Sequence, residues 1–136
     1  MRRSPLRRAA AIRRQKALTR RAIQRRRAQV TTEERHAKSV VRTRSGGVCE
    51  GCGKRRAAEW SHRVNASQGG PWHPTNGLHL CLWCHDWLHD NILAARALGW
   101  SLQRHQDPAA EPVTHAQFGR VFLNNDGTTT RQENAA

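Results

Sequence analysis

All four cysteines of the chain fall in two Cys-x2-Cys pairs, Cys49/Cys52 and Cys81/Cys84. A tight turn lets both sulfurs of a pair reach one ion, and four thiolates suit tetrahedral Zn²⁺. Iron is the chemical alternative for such an S4 site. The second pair leads into a helical pattern, whose N-terminal dipole favours thiolate. Two disulfides would use the same residues, but nothing at the N-terminus reads as a secretory segment and the spacing suits a metal better. A closed four-sulfur site leaves no position for substrate, so its expected role is structural: it pins together the ends of an insert, residues 53–80.

Five of the eight histidines, His62, His73, His79, His85 and His89, fall within 28 residues that overlap the second pair. His85-x3-His89 puts two imidazoles one turn apart on a helix face, a chelating spacing; a surface helix rich in Arg and His is the plainer alternative. His62 stands in an expected strand beside Arg63, and a neutral imidazole is a suitable general base. Asn76 follows a Gly/Pro loop, where its amide can tie the loop to the strand backbone and orient His62.

The elements that must position these groups are short. Residues 57–64 are expected as a strand and 78–82 as a short apolar segment, with a polar loop between them. Residues 83–98 are expected as one helix, with Trp83, Trp87, Leu88, Ile92 and Ala95 at helical spacing and Gly99 as C-cap. Upstream, residues 30–44 are expected as a short helix capped by Thr31 or Thr32 and stopped at Ser45-Gly46-Gly47. Downstream, 118–123 is expected as a strand turning at Asn125-Asp126-Gly127 into 128–130, a small hairpin before a frayed tail.

Taken together, Glu59-Trp60-Ser61-His62-Arg63, Asn76, Cys81-Leu82-Trp83-Cys84-His85 and His89 resemble the HNH endonuclease family in its zinc-stapled form, among small bacteriophage and prophage proteins. The resemblance covers roughly residues 45–98. It implies a small α+β fold with a ββα-metal (His-Me finger) core over 45–99 stapled by Cys49, Cys52, Cys81 and Cys84 on structural zinc, and a C-terminal extension over 100–136. It further implies metal-dependent hydrolysis of DNA phosphodiester bonds by an endonuclease or nickase. His62 would be the general base, Asn76 would position it, and His85 and His89 would hold a catalytic divalent ion such as Mg²⁺, Mn²⁺, Ni²⁺ or Zn²⁺ that neutralises the scissile phosphate and stabilises the leaving 3′ oxygen. Products would carry a 5′ phosphate and a 3′ hydroxyl, and genome packaging beside a phage terminase would be the setting. One position departs from the family: Ser61 stands where His or Asp commonly binds the ion. Strand alternation puts Glu59 on the same face as Ser61, so either Glu59 completes the ligand set with help from Ser61, or Glu59 pairs with Arg63 or Arg56 and the ion keeps extra water. Loss of catalysis is a further alternative, leaving a non-catalytic zinc module that binds nucleic acid.

Charge extends the reading to partners. The chain has 136 residues and a net charge of +14. Residues 1–29 hold 12 basic and no acidic groups, whereas residues 30–136 hold 12 basic against 10 acidic. The positive charge therefore belongs to an N-terminal arm, which is expected to be disordered in free solution, or helical on DNA. Its Arg7, Arg8, Arg13, Arg14, Arg20, Arg21, Arg25, Arg26 and Arg27 are expected on double-stranded DNA phosphates, together with Lys54, Arg55 and Arg56 of the knuckle; a solubilising tail is the alternative. Arg63 is expected at a phosphate beside the scissile bond, or else as a solvated strand-edge charge. Trp60, Trp83, Trp87 and Trp100 are expected as core or zinc-site packing, and Trp72 as a lid on the core or a stacking contact with DNA. His79 is expected to support Asn76 or touch DNA, or to be structural. No run approaches the length of a membrane span and no leader is evident, so a cytoplasmic protein is expected, in the bacterial host if phage-encoded. No heptad pattern is present, which favours a monomer. A large multidomain enzyme is excluded by length.

Overall fold

The computed structural model describes residues 5–133. Helix α1 spans Pro5–Ser45, strand β1 Glu59–His62, strand β2 Gly77–Leu80, helix α2 Leu82–Asp90 and helix α3 Ile92–Ala97; strands β3 (Val113–His115), β4 (Gly119–Leu123) and β5 (Thr129–Arg131) follow. Short 3₁₀ turns at Ala66–Gln68 and Pro74–Asn76 lie in the β1–β2 connection. The chain divides into two compact units, one up to Glu33 and one from Glu34 onward.

The first unit is helical from Pro5. Ala and Arg are strong helix formers, and helix was one of the two states expected for the arm. Leu6, Ile12, Leu18 and Ile23 are exposed and do not share one face, so the helix presents guanidinium groups around its circumference. The caps expected at Thr31 and Thr32 are a correction: no helix starts there. Their hydroxyls instead donate back to Arg27 O and Ala28 O at 2.9 and 3.1 Å, a bonding pattern of a helix interior. Arg2 and Arg3 of the arm, and the end of the tail expected to fray, lie outside the described residues.

In the second unit α1 ends at Ser45 as expected, with Gly46 and Gly47 at φ +60° and +82°. β1 and β2 pair antiparallel, Glu59 opposite Leu80 and His62 opposite Gly77. A Cβ on Gly77 would lie 2.0 Å from the Trp60 ring, so only glycine lets that indole lie across the ribbon. The expected single helix over 83–98 is two, broken at Asn91 (φ −130°, ψ 53°). Asn91 Nδ2 donates to Trp87 O, and a side chain that competes for backbone partners ends α2 there. Gly99 follows α3 at φ +73°, with Pro112 O where its Cβ would be. β3, β4 and β5 form a second antiparallel sheet; β3 is too short to be announced by periodicity. The core joins the two sheets and the helices through Leu78, Leu80, Leu88, Ala95, Trp100, Val113, Val121 and Leu123, with Cys49, Cys81 and Cys84 packed into it. Trp87 and Trp100 pack edge-to-face at 5.7 Å. No helix among the described residues is long and apolar enough to cross a membrane.

Candidate functional site

The cysteine ligand atoms of Cys49, Cys52, Cys81 and Cys84 all lie within 4.8 Å of one another, the only such group of three or more His, Cys, Asp or Glu side chains among the described residues. Two chain segments build it alike: Cys52 N–H points to Cys49 Sγ at 3.5 Å and Cys84 N–H to Cys81 Sγ at 3.3 Å, with Lys54 N–H on Cys52 Sγ at 3.5 Å. Cys81 is also the N-cap of α2. Burial works to raise the Cys52 thiol, but the backbone N–H groups of Lys54 and Arg55 outweigh it and bring the pKa down to about 6. Four convergent sulfurs with amide donors aimed at three of them could hold a metal such as zinc.

Beneath the first pair lies a buried polar network that the sequence did not disclose. Glu50, between the cysteines of the first pair, accepts from Arg44 Nε and Nη2 at 2.6 and 2.9 Å, from His79 N–H at 2.8 Å, and bonds His115 Nε2 at 3.0 Å. Arg44 also donates to Pro74 O and Gly77 O. Burial alone would raise the Glu50 carboxyl, yet the bonds and charge of Arg44, the His115 bond and the His79 amide hold its pKa at about 2. These contacts tie α1, the knuckle, β2 and β3 together. His79 is thereby placed: its ring bonds Ser45 Oγ at 2.8 Å, a structural position.

His62 ends β1 on the face it shares with Trp60. Its ring meets Trp60 edge-on at 5.8 Å and Trp72 at 4.4 Å, and Lys38 Nζ lies 5.1 Å from the Trp72 ring centroid. Trp72 thus covers the histidine. His62 Nε2 is buried with no hydrogen-bond partner, and this burial lowers the imidazole pKa, with Glu34 opposing and Lys38 adding to the shift. Beside it is a cavity of about 280 Å³ lined by Lys38, Arg42, Glu59, His62, Trp72 and His79 among others.

Asn76 is fully buried. Its Oδ1 accepts from Val64 N–H at 2.8 Å, and its Nδ2 donates to Val64 O and Pro71 O at 3.1 Å each. The amide therefore ties the loop to the strand exit, as its position suggested, and acts on His62 through the backbone that follows it rather than by touching the ring.

Arg63 is a correction. It is neither at a phosphate nor solvated: it is 0% exposed, because strand alternation turns it opposite to His62 and into the body of the unit. All five guanidinium N–H groups are used on carbonyls, Nε on Gly99, Nη1 on Thr75 and Pro108, and Nη2 on Glu111 and Pro112. Burial and the nearby charge of Arg44 lower its pKa to about 10. Glu59 is a second correction, as to its pairing with Arg56 or Arg63. It is exposed and rims the His62 cavity. It joins His85 and His89 in no three-ligand group and makes no ion pair with Arg56 or Arg63 among the described residues. Glu59 begins β1 and is open to solvent, whereas Ser61 inside the strand is buried at 3%.

His85 and His89 lie on α2 as expected, ring centroids 4.9 Å apart. Lys54, Arg55 and Arg56 are exposed on the knuckle. Trp83 is a third correction: it is 58% exposed, with the Arg55 guanidinium 5.3 Å from its ring centroid. No protein-family model, curated protein or solved structure matches the chain.

Proposed function

We propose that this protein is a metal-dependent DNA endonuclease or nickase of the HNH type. The observation that carries the reading is the order of groups along β1, β2 and α2: His62 ends the first strand, Asn76 precedes the second, and His85 and His89 stand one turn apart on the helix that follows. A cluster of four thiols fits structural zinc, and two imidazoles on one helix face fit part of the ligand set of a divalent ion. That ion, when bound, would supply charge neutralisation at the scissile phosphate.

The chain's own residues would do the rest. His62, kept neutral by burial, would accept a proton from the attacking water. Asn76 and the carbonyl cage around Arg63 hold the backbone that follows that ring. Lys38 and Arg42 at the cavity attract phosphate, and the basic first unit adds affinity without specifying bases. Double-stranded DNA is the proposed substrate, hydrolysed to 5′ phosphate and 3′ hydroxyl ends. A monomer in the cytoplasm of a phage-infected or lysogenic host, working beside packaging proteins, is the setting proposed from the family resemblance.

A second reading, a non-catalytic zinc-stabilised module that binds nucleic acid, is favoured by two observations: among the described residues no third His, Cys, Asp or Glu joins His85 and His89, and His62 is covered by Trp72. Supercoiled plasmid incubated with Mg²⁺, Mn²⁺, Ni²⁺ or Zn²⁺ decides between them. Nicking is expected from the wild type, almost none from His62→Ala with metal content unchanged, and loss of one bound ion from His85→Ala or His89→Ala. A folded, zinc-loaded protein that cuts with none of the ions would overturn the nuclease reading and leave the second.

A further inference from the structure

The start of α2 and the segment 55–58 beside it form a shelf outside the His62 cavity. Leu82 and Trp83, the first two residues of α2, are 60% and 58% exposed. With Arg55, Arg56, Ala57, Ala58 and Cys81 they line a shallow groove. None of these residues is acidic. Arg55 lies over the Trp83 ring, so a cation sits against one face of the indole while more than half of the side chain stays open to solvent.

The shelf is rigidly mounted. Arg55 O accepts from Cys49 N–H, Arg56 bridges Val48, and Ala58 N–H donates to Leu80 O. The helix end that carries Trp83 begins at Cys81, whose sulfur caps it. A large indole held open to water on a fixed frame is an unfavourable use of apolar area in a folded monomer. A partner that covers it needs a flat apolar face next to negative charge. Neither a duplex, whose base faces are already stacked, nor an acidic peptide, which has charge but no obligatory flat ring, meets both needs. An unpaired nucleotide does: its base has a π-face for Trp83, and its flanking phosphates meet Arg55, Arg56 and the exposed Lys54.

We propose that this shelf binds unpaired nucleotides of single-stranded nucleic acid, with Trp83 stacking on a base and Arg55 and Arg56 holding the adjoining phosphates. The inference does not depend on the cleavage reading, since binding without added divalent ion suffices to test it.

The probe is a fluorescein-labelled dT12, compared by anisotropy with an abasic strand of the same length and charge and with a blunt 12-base-pair duplex. The full-length protein is used with its zinc and no other divalent ion. Charge contacts are common to dT12 and the abasic strand, so their difference reports stacking alone. The wild type is expected to bind dT12 about tenfold more tightly than the abasic strand. Trp83→Ala should remove that preference while leaving abasic-strand affinity unchanged, and Trp83→Phe should keep much of it. Arg55→Gln should weaken both strands and flatten their salt dependence. Equal wild-type affinity for dT12 and the abasic strand would overturn the proposal without any variant. So would an undiminished preference in Trp83→Ala, or displacement of dT12 by poly-glutamate as effectively as by unlabelled dT12. None of these outcomes bears on whether His62 cleaves plasmid.

Discussion

Arg44 grips both oxygens of Glu50, through Nε at 2.6 Å and Nη2 at 2.9 Å, with both side chains sealed from solvent. The pair joins the last turn of α1 to the peptide that follows Cys49.

Breaking that pair is expected to destabilise the second unit strongly. Glu50→Gln leaves the Arg44 charge buried without its counterion, at a cost of about 3–5 kcal/mol. The Glu50 pKa is lowered in the fold, to about 2 from 4.5, so its contribution is complete above the unfolded value and lost as pH falls from about 4.5 towards 2. The stability difference between wild type and Glu50→Gln, measured by urea melts from pH 7 to pH 3, should therefore shrink on acidification. Any loss of bound metal in acid is common to both proteins and cancels.

Removing metal should melt the knuckle. Cys84→Ser, or the wild type with a strong chelator, is expected to lose cooperative unfolding or to drop sharply in Tm, because the free energy of binding at such a site is folding free energy. Circular dichroism melts with and without chelator check this; superimposable melts would reject a structural metal.

Arg63→Met should cost about 4 kcal/mol or more, since it orphans five carbonyls at once. DNA affinity of the fraction that remains folded should be unchanged, because the side chain reaches no solvent. A variant of wild-type stability with weakened DNA binding would reverse this assignment.

Deleting residues 1–29 removes 12 basic groups. Affinity for duplex DNA should fall, and the slope of log K against log salt should become shallower, with the far-UV signal and melt of the second unit retained. Parallel slopes for the full-length and shortened proteins would show that the arm makes no phosphate contacts.

Cleavage, if limited by the His62 base, should fall on acidification with an apparent midpoint below 6.5, since burial lowers that imidazole. Single-turnover nicking at saturating ion and DNA measures it. Trp72→Ala, which uncovers the ring, should move the midpoint upward; a midpoint unaffected by that change would uncouple the acid limb from His62.

The residues legible from sequence were those whose chemistry is local. Cys-x2-Cys spacing announced the metal-type cluster, the His85-x3-His89 interval announced their shared face, and Ser45-Gly46-Gly47 announced the end of α1. The Arg44–Glu50–His115 network was invisible because Glu50 bonds a histidine 65 residues away, and nothing in a buried Glu distinguishes it in sequence from a solvated one. Arg63 was misread for the same reason: its partners are backbone carbonyls, which leave no trace in side-chain identity. Trp83 was assigned inward on hydrophobicity, whereas its place in the first turn of α2, outside the apolar side made by Cys84 and Leu88, turns it to solvent. The long α1 was read as two pieces because threonines resemble caps wherever they occur, and only the backbone decides.

The two cysteine pairs bracket residues 53–80, and within that interval lie β1, both 3₁₀ turns, β2, His62 and Asn76. An ion shared by the pairs converts the interval into a closed ring. Loop-closure entropy, which grows with the logarithm of loop length, is then met once at the knuckle, and the β1–β2 pairing becomes a local event inside the ring. The ion would thus shorten the effective contact order of the one part of the chain that carries the candidate chemistry. Metal supply would then govern how fast that part folds as well as how long it stays folded.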